Sequence, residues 1–117
     1  RGTAIKTGVF RKQKNIVIAS ANVIVIRPNH RILSDYLRIF FESPVGIALI
    51  KSFQRGTTVV NINHMDIAEM EIPLLSMEEQ KELVTHYEKE SSLYRETVSK
   101  AEERFTAEKQ KIYEKLL

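Results

Sequence analysis

The spacing of apolar positions changes character along this chain, and each change predicts a different element. Ile16-Val17-Ile18-Ala19 and Asn22-Val23-Ile24-Val25-Ile26 are short runs rich in β-branched side chains, the pattern of strands covered on both faces and therefore of core. From Ser34 the spacing turns helical. Ser34 suits an N-cap and Asp35 the first turn, while Tyr36, Leu37, Ile39, Phe40 and Phe41 supply a strongly apolar face. Ser43-Pro44 predicts a second helix, with Pro44 at its first position and Val45, Ile47, Ala48, Leu49, Ile50 and Phe53 at helical spacing. These aromatics are embedded in apolar faces rather than interleaved with Lys and Arg, so they read as core and not as base-stacking platforms.

The connections are equally patterned. Gly2 and Gly8 flank a short Ala4-Ile5 pair as turn positions, and Phe10-Arg11-Lys12-Gln13-Lys14-Asn15 is a basic hairpin or loop tip between strand signals. Gln54-Arg55-Gly56-Thr57-Thr58 is a small, polar loop. Asn61-Ile62-Asn63-His64-Met65-Asp66 predicts an Asx-capped turn into one or two helical turns ending near Glu69. Pro73 has no backbone donor, so Ile72-Pro73 reads as the extended edge or exit of a sheet.

A long helix begins at Ser76. Ser76-Met77-Glu78-Glu79 fits a capping box, and Glu78 and Glu79 sit where the helix dipole favours carboxylates. From Ser76 to Leu117 there is neither Gly nor Pro, and a helix of that length extends about 60 Å, too far to pack on a small domain alone. Val84, Val98, Phe105 and Ile112 share one heptad row and Tyr87, Tyr94 and Ala101 the other, interrupted by Ser91, Glu108 and Lys115. This is a mixed a/d seam that needs a partner helix. The pattern as a whole predicts an α+β chain, with a small mixed domain over residues 1–75 and a coiled-coil helix over residues 76–117.

Charge sharpens that division. Through Leu75 there are ten Lys and Arg against five Asp and Glu, net +5, whereas from Ser76 onward there are eight against ten, net −2. A basic surplus confined to the globular half fits a polyanionic partner bound with counterion release. Arg11, Lys12 and Lys14 lie on the first loop, and Arg27, His30 and Arg31 near the end of the second strand run. Arg55 and Thr57 lie in a loop where Gly56 permits close backbone approach to phosphate or base edges. A solvated turn at residues 10–15 and a simple helix-capping Gly56 remain open as alternatives.

The stretch from Arg55 to Gln80, RGTTVVNINHMDIAEMEIPLLSMEEQ, resembles the closing segment of target-recognition domains in the DNA specificity subunits of type I restriction-modification systems. The matching residues are Gly56, Thr57, Asn61, Asn63, Ile67, Ile72, Pro73, Leu74, Glu79 and Gln80. Leu75 and Ser76 depart from the pattern, standing where one or two prolines are usual. Upstream, Ala21-Asn22-Val23-Ile24-Val25-Ile26-Arg27-Pro28 and Ser34-Asp35-Tyr36-Leu37 resemble the family's strand and following helix. By that likeness Arg1-Gly2-Thr3 falls inside a domain, which implies a fragment lacking the first part of its sheet. The resemblance also implies double-stranded DNA as partner, adenine-N6 methyltransferase subunits that carry out the chemistry, a restriction subunit in a full system, and a cytoplasmic location. The long helix is then a spacer. With no second recognition domain following within these 117 residues, self-association through Tyr94, Val98, Ala101, Phe105 and Ile112 would imitate a two-domain subunit.

The residues absent from the chain bear on catalysis. It holds no cysteine and only four glycines, so disulfides, thiol nucleophiles and cysteine-bound zinc are excluded within it, and no Gly-rich nucleotide or S-adenosylmethionine loop is present. The Asn/Asp-Pro-Pro-aromatic segment of adenine methyltransferases is missing. Asp66, Glu69 and Glu71, the nearest acidic group, read as solvated or capping residues. His30, His64 and His86 fall on different elements, and none forms a ligand pair. No apolar run approaches the roughly 20 residues of a membrane span. A non-catalytic specificity module needing no cofactor is therefore expected. A coiled-coil scaffold is the first alternative, and the recognition end of a single-chain restriction-methylation enzyme is the second.

Overall fold

A computed structural model of the chain describes residues 5–53 and 62–117. Among the described residues four helices follow in order: α1 over Ser34–Glu42, α2 over Pro44–Ser52, α3 over His64–Glu69 and α4 over Met77–Glu114. The chain divides into two compact units, Arg1–Glu82 and Leu83–Leu117, so the division falls inside α4. Each unit is described by itself.

Three of the four helix starts are locally encoded. At α4 the Glu79 N–H donates to Ser76 Oγ and the Ser76 N–H to Glu79 Oε1, both at 3.1 Å, which is the expected capping box. At α3 the same reciprocity joins Asn63 and Asp66, at 2.9 and 3.0 Å, and leaves the Asp66 carboxylate only 2% exposed yet partnered. At α2 the Ser43 hydroxyl accepts from the Gly46 N–H at 3.1 Å and donates to the Phe40 carbonyl at 2.6 Å, with Pro44 as the first helical residue.

The start of α1 departs from expectation. Ser34 is the first helical residue rather than the cap, and the N-cap is Leu33, whose side chain offers no acceptor. Its backbone N–H donates instead to Gln80 Oε1 at 2.8 Å, from 47 residues away. In a capping box that acceptor would come from the third helical residue, which here is Tyr36. A tertiary contact has taken over a local one.

The core of the first unit is helical. Leu37, Phe40 and Phe41 of α1 and Met70 form its buried centre, with Ile32, Leu49, Ile50, Phe53, Ile62, Ile67 and Ile72 packed around them. The rings of Phe40 and Phe41 meet edge to face at 5.7 Å, an arrangement that the ring quadrupoles favour. Tyr36 is buried beside them, its O–H donating to the Pro73 carbonyl at 2.7 Å. Burial pushes the phenol above its ordinary pKa, so it remains a donor at neutral pH. The 70–76 segment is thereby tied to α1.

The expected α+β class is corrected at this point, since the described residues contain no strand and only the helical part, with its long C-terminal helix, holds. Residues 16–19 and 22–26 are irregular, joined locally by a turn in which the Val23 N–H donates to the Ser20 carbonyl at 3.2 Å. Nor do they form the core. Ile16 and Ile18 are 93% and 86% exposed, and Val17, Val23, Val25 and Ile26 are exposed as well. The β-branched pattern reports suitability for a pleated, covered surface, but a ladder requires a neighbouring strand, and a lone hairpin is marginal in water. Likewise Ile72-Pro73 leaves no sheet; Pro73 serves through its carbonyl.

Gly46 permits the close approach of α1 and α2. A Cβ there would lie 2.0 Å from the Phe40 carbonyl oxygen and 2.7 Å from Phe41 Cα, backbone atoms that can retreat only if the helices separate. Gly46→Ala gains about 1 kcal/mol of helix propensity but meets an overpacking cost of roughly 1–3 kcal/mol, made worse by the rigidity of the clashing atoms. We expect net destabilisation, read as a lower urea midpoint at unchanged slope.

Candidate nucleic-acid interface

The expected DNA-contacting residues fall into three places. Arg11, Lys12 and Lys14 lie on the exposed segment after Phe10, and Arg27 and Arg31 flank the turn before α1, both exposed. Arg55 and Thr57, and the expected turn at Gly56, lie outside the described residues.

The surroundings of the described cations differ, and the difference bears on availability. Arg11 grips Asp35 of α1 in a two-pronged pair, one guanidinium N–H at 2.7 Å and another at 3.2 Å, yet its side chain remains 67% exposed. Among the described residues, Lys12, Lys14, Arg27 and Arg31 form no ion pair. Arg27 also lines a cleft of about 970 Å³ formed by residues 5–10 and 21–28, by α1 and by Ile50, Ile62 and Ile67. Lys6 and Arg38 share that lining. Arg38 was not singled out from the sequence. Its side chain is only 17% exposed and it pairs with Glu42 at 3.2 Å, so the i,i+4 spacing of Arg38 and Glu42 was the available signal.

The turn carrying Arg31 is the most tightly specified of these places. The Arg31 N–H donates to Asn29 Oδ1 at 2.9 Å and the Ile32 N–H to the Asn29 carbonyl at 3.4 Å. Gln80 closes the turn from the other side: its Nε2 donates to the carbonyls of Arg31 and Leu75, each at 3.0 Å, while Oε1 receives the Leu33 N–H. The Gln80 side chain is fully buried. Sequence reasoning placed Gln80 in a motif but assigned it no physical role, because its partners are 47 and 49 residues away.

The expected helix-packing residues lie on α4. In the Leu83–Leu117 unit, Tyr94, Phe105 and Ile112 are 69%, 64% and 57% exposed, Tyr87 and Ala101 are exposed, and Val84 and Val98 are half-buried. Lys109 Nζ lies 4.8 Å above the Phe105 ring, covering one face of it with a cation. Among the described residues no group of His, Cys, Asp and Glu could hold a metal ion, and no helix is long and apolar enough to cross a membrane.

The family model of the type I restriction modification DNA specificity domain matches residues 2–89. The chain belongs to that family. No curated protein and no solved structure matches it. The specificity-domain match spans α1, α2, α3 and the opening turns of α4, and so includes the Gln80 contacts and every expected cation. The resemblance read from Arg55–Gln80 is thereby shown, and with it a place in type I restriction-modification specificity.

Whether Arg11 is committed to Asp35 or available to a ligand can be decided by a double-mutant cycle. With Arg11 so exposed, solvent screening limits such a pair to about 1 kcal/mol or less. We expect Arg11→Ala, Asp35→Ala and the double variant to give a coupling within that limit in urea denaturation. A coupling several times larger would make Arg11 a structural residue.

Proposed function

We propose that this specificity domain binds double-stranded DNA and supplies the sequence address for a type I restriction-modification system. The family match over residues 2–89 carries this reading. The net +5 charge through Leu75 and the exposure of Lys12, Lys14, Arg27 and Arg31 support it, because phosphate contacts supply most of the affinity and orient the reader on the duplex. Residues 1–75 act as the C-terminal portion of a target-recognition domain; Arg11 and Arg55 join the other cations as contacts, and Thr57 is a further, uncharged one. Adenine-N6 methyltransferase subunits perform the chemistry, with a restriction subunit in a full system. This chain contributes no catalytic group, and it acts in the cytoplasm.

Residues 76–117 act as spacer and pairing helix. The supporting observation is the exposed apolar row of Tyr94, Phe105 and Ile112, which a second helix would cover through knobs-into-holes packing. A pure scaffold reading would rest on this row alone. Salt separates the two readings, since DNA binding weakens steeply with ionic strength whereas an apolar seam does not.

Mapping N6-methyladenine in the source genome with and without the parent gene tests the address role. We expect a bipartite motif to lose methylation on deletion; an unchanged methylation pattern while the gene is expressed rejects that role and favours the scaffold. For the helix, Phe105→Asp places a carboxylate in the seam. Sedimentation at micromolar concentration should show self-association in the parent chain and its loss in the variant, and a monomeric parent would sink the pairing proposal.

A further inference from the structure

Among the described basic residues, Arg31 is distinguished by how its backbone is held. Its N–H is taken by Asn29 Oδ1 and its carbonyl by Gln80 Nε2, and two residues on, the Leu33 N–H is taken by Gln80 Oε1. The amide that does this is fully buried, with its remaining N–H on the Leu75 carbonyl. The side chain of Arg31 is nevertheless exposed and forms no ion pair among the described residues. Arg11 and Arg38 are by contrast engaged with Asp35 and Glu42.

A cation presented from a turn that is already rigid loses little further freedom when it meets a phosphate. One presented from a loose loop must be ordered at binding. We propose that Gln80, the second residue of the Glu79-Gln80 pair that opens α4, is a positioning residue for DNA contact: it fixes the 29–33 turn so that Arg31 is held ready for a backbone phosphate. This rests on the DNA-binding reading above and assigns to the start of the spacer helix a part in the contact itself. Shape alone does not suffice at residue 80. A carboxylate of the same size would still accept from Leu33 but would set lone pairs against the Arg31 and Leu75 carbonyls.

The test is the salt dependence of binding to a random-sequence DNA duplex by the full chain, compared among wild type, Arg31→Ala, Gln80→Glu and the double variant. The slope of log K against log salt counts phosphate contacts and is insensitive to the fraction of active protein, so a partly unfolded preparation does not imitate the effect. Losing one phosphate contact lowers the slope by about 0.9. We expect Arg31→Ala and Gln80→Glu each to lower it by that amount and the double variant to lower it no further. An unchanged slope in either single variant, or additive losses in the double, overturns the proposal. Should circular dichroism show Gln80→Glu unfolded, Asn29→Ala loosens the same turn at an exposed position and must lower the slope likewise; an unchanged slope there overturns the proposal. If wild type itself does not bind, the DNA-binding reading falls together with this one, whereas wild-type binding with an unaltered Gln80→Glu slope removes this one alone.

Discussion

The hydrogen bonds of one buried amide constrain the first unit more than any other polar contact described. Gln80 satisfies backbone groups of Arg31, Leu33 and Leu75 at once, all at 2.8–3.0 Å. Each bond adds only about 0.5–1.5 kcal/mol net, but a buried partner left unmade costs roughly 1–3 kcal/mol. Three groups sharing one amide therefore make its replacement by an apolar residue far more costly than the bonds are stabilising. The Tyr36 phenol acts in the same place, holding the Pro73 carbonyl from α1. Together they join the turn before α1, the 70–76 segment and the first turn of α4 into a single hydrogen-bonded body.

Around that body the apolar core is modest. It is centred on Leu37, Phe40, Phe41 and Met70, and it depends on α1 and α2 coming close enough for Gly46 to sit against the Phe40 carbonyl. Large apolar side chains outside it, from Ile16 to Ile26 and along α4, are exposed in the chain by itself. At about 25 cal/mol per Å² of apolar surface, such residues are a reservoir of association energy rather than of folding energy. That division suits the DNA and subunit contacts proposed for this specificity domain.

The electrostatics follow the same separation of roles. Arg11 and Arg38 are internally paired, with Asp35 and Glu42, and they help fix local geometry. Lys12, Lys14, Arg27 and Arg31 are part of the exposed surplus, with Lys6 and Lys51. On α4, charges of both signs alternate and pair along the helix, as at Glu108 and Lys111, which leaves its net character acidic and its apolar row as the feature that a partner would meet.

The sequence by itself determined where α2, α3 and α4 begin and which family the chain resembles. The capping boxes at Ser76 and Asn63, Pro44 after its Ser43 cap and the apolar face of α1 are each decided within a turn or two, by groups whose partners are neighbours in the chain. Tertiary structure decided what needs a distant partner. Residues 16–26 have strand composition, but composition cannot provide the neighbouring strand that would make a ladder. Ser34 looks like an N-cap, yet the cap falls on Leu33, whose carbonyl accepts the Leu37 N–H and whose own N–H is taken by Gln80 from another helix. An amide's hydrogen-bonding capacity can be read from its residue type, whereas the groups it satisfies are known only once folding has brought residues 31, 33, 75 and 80 together.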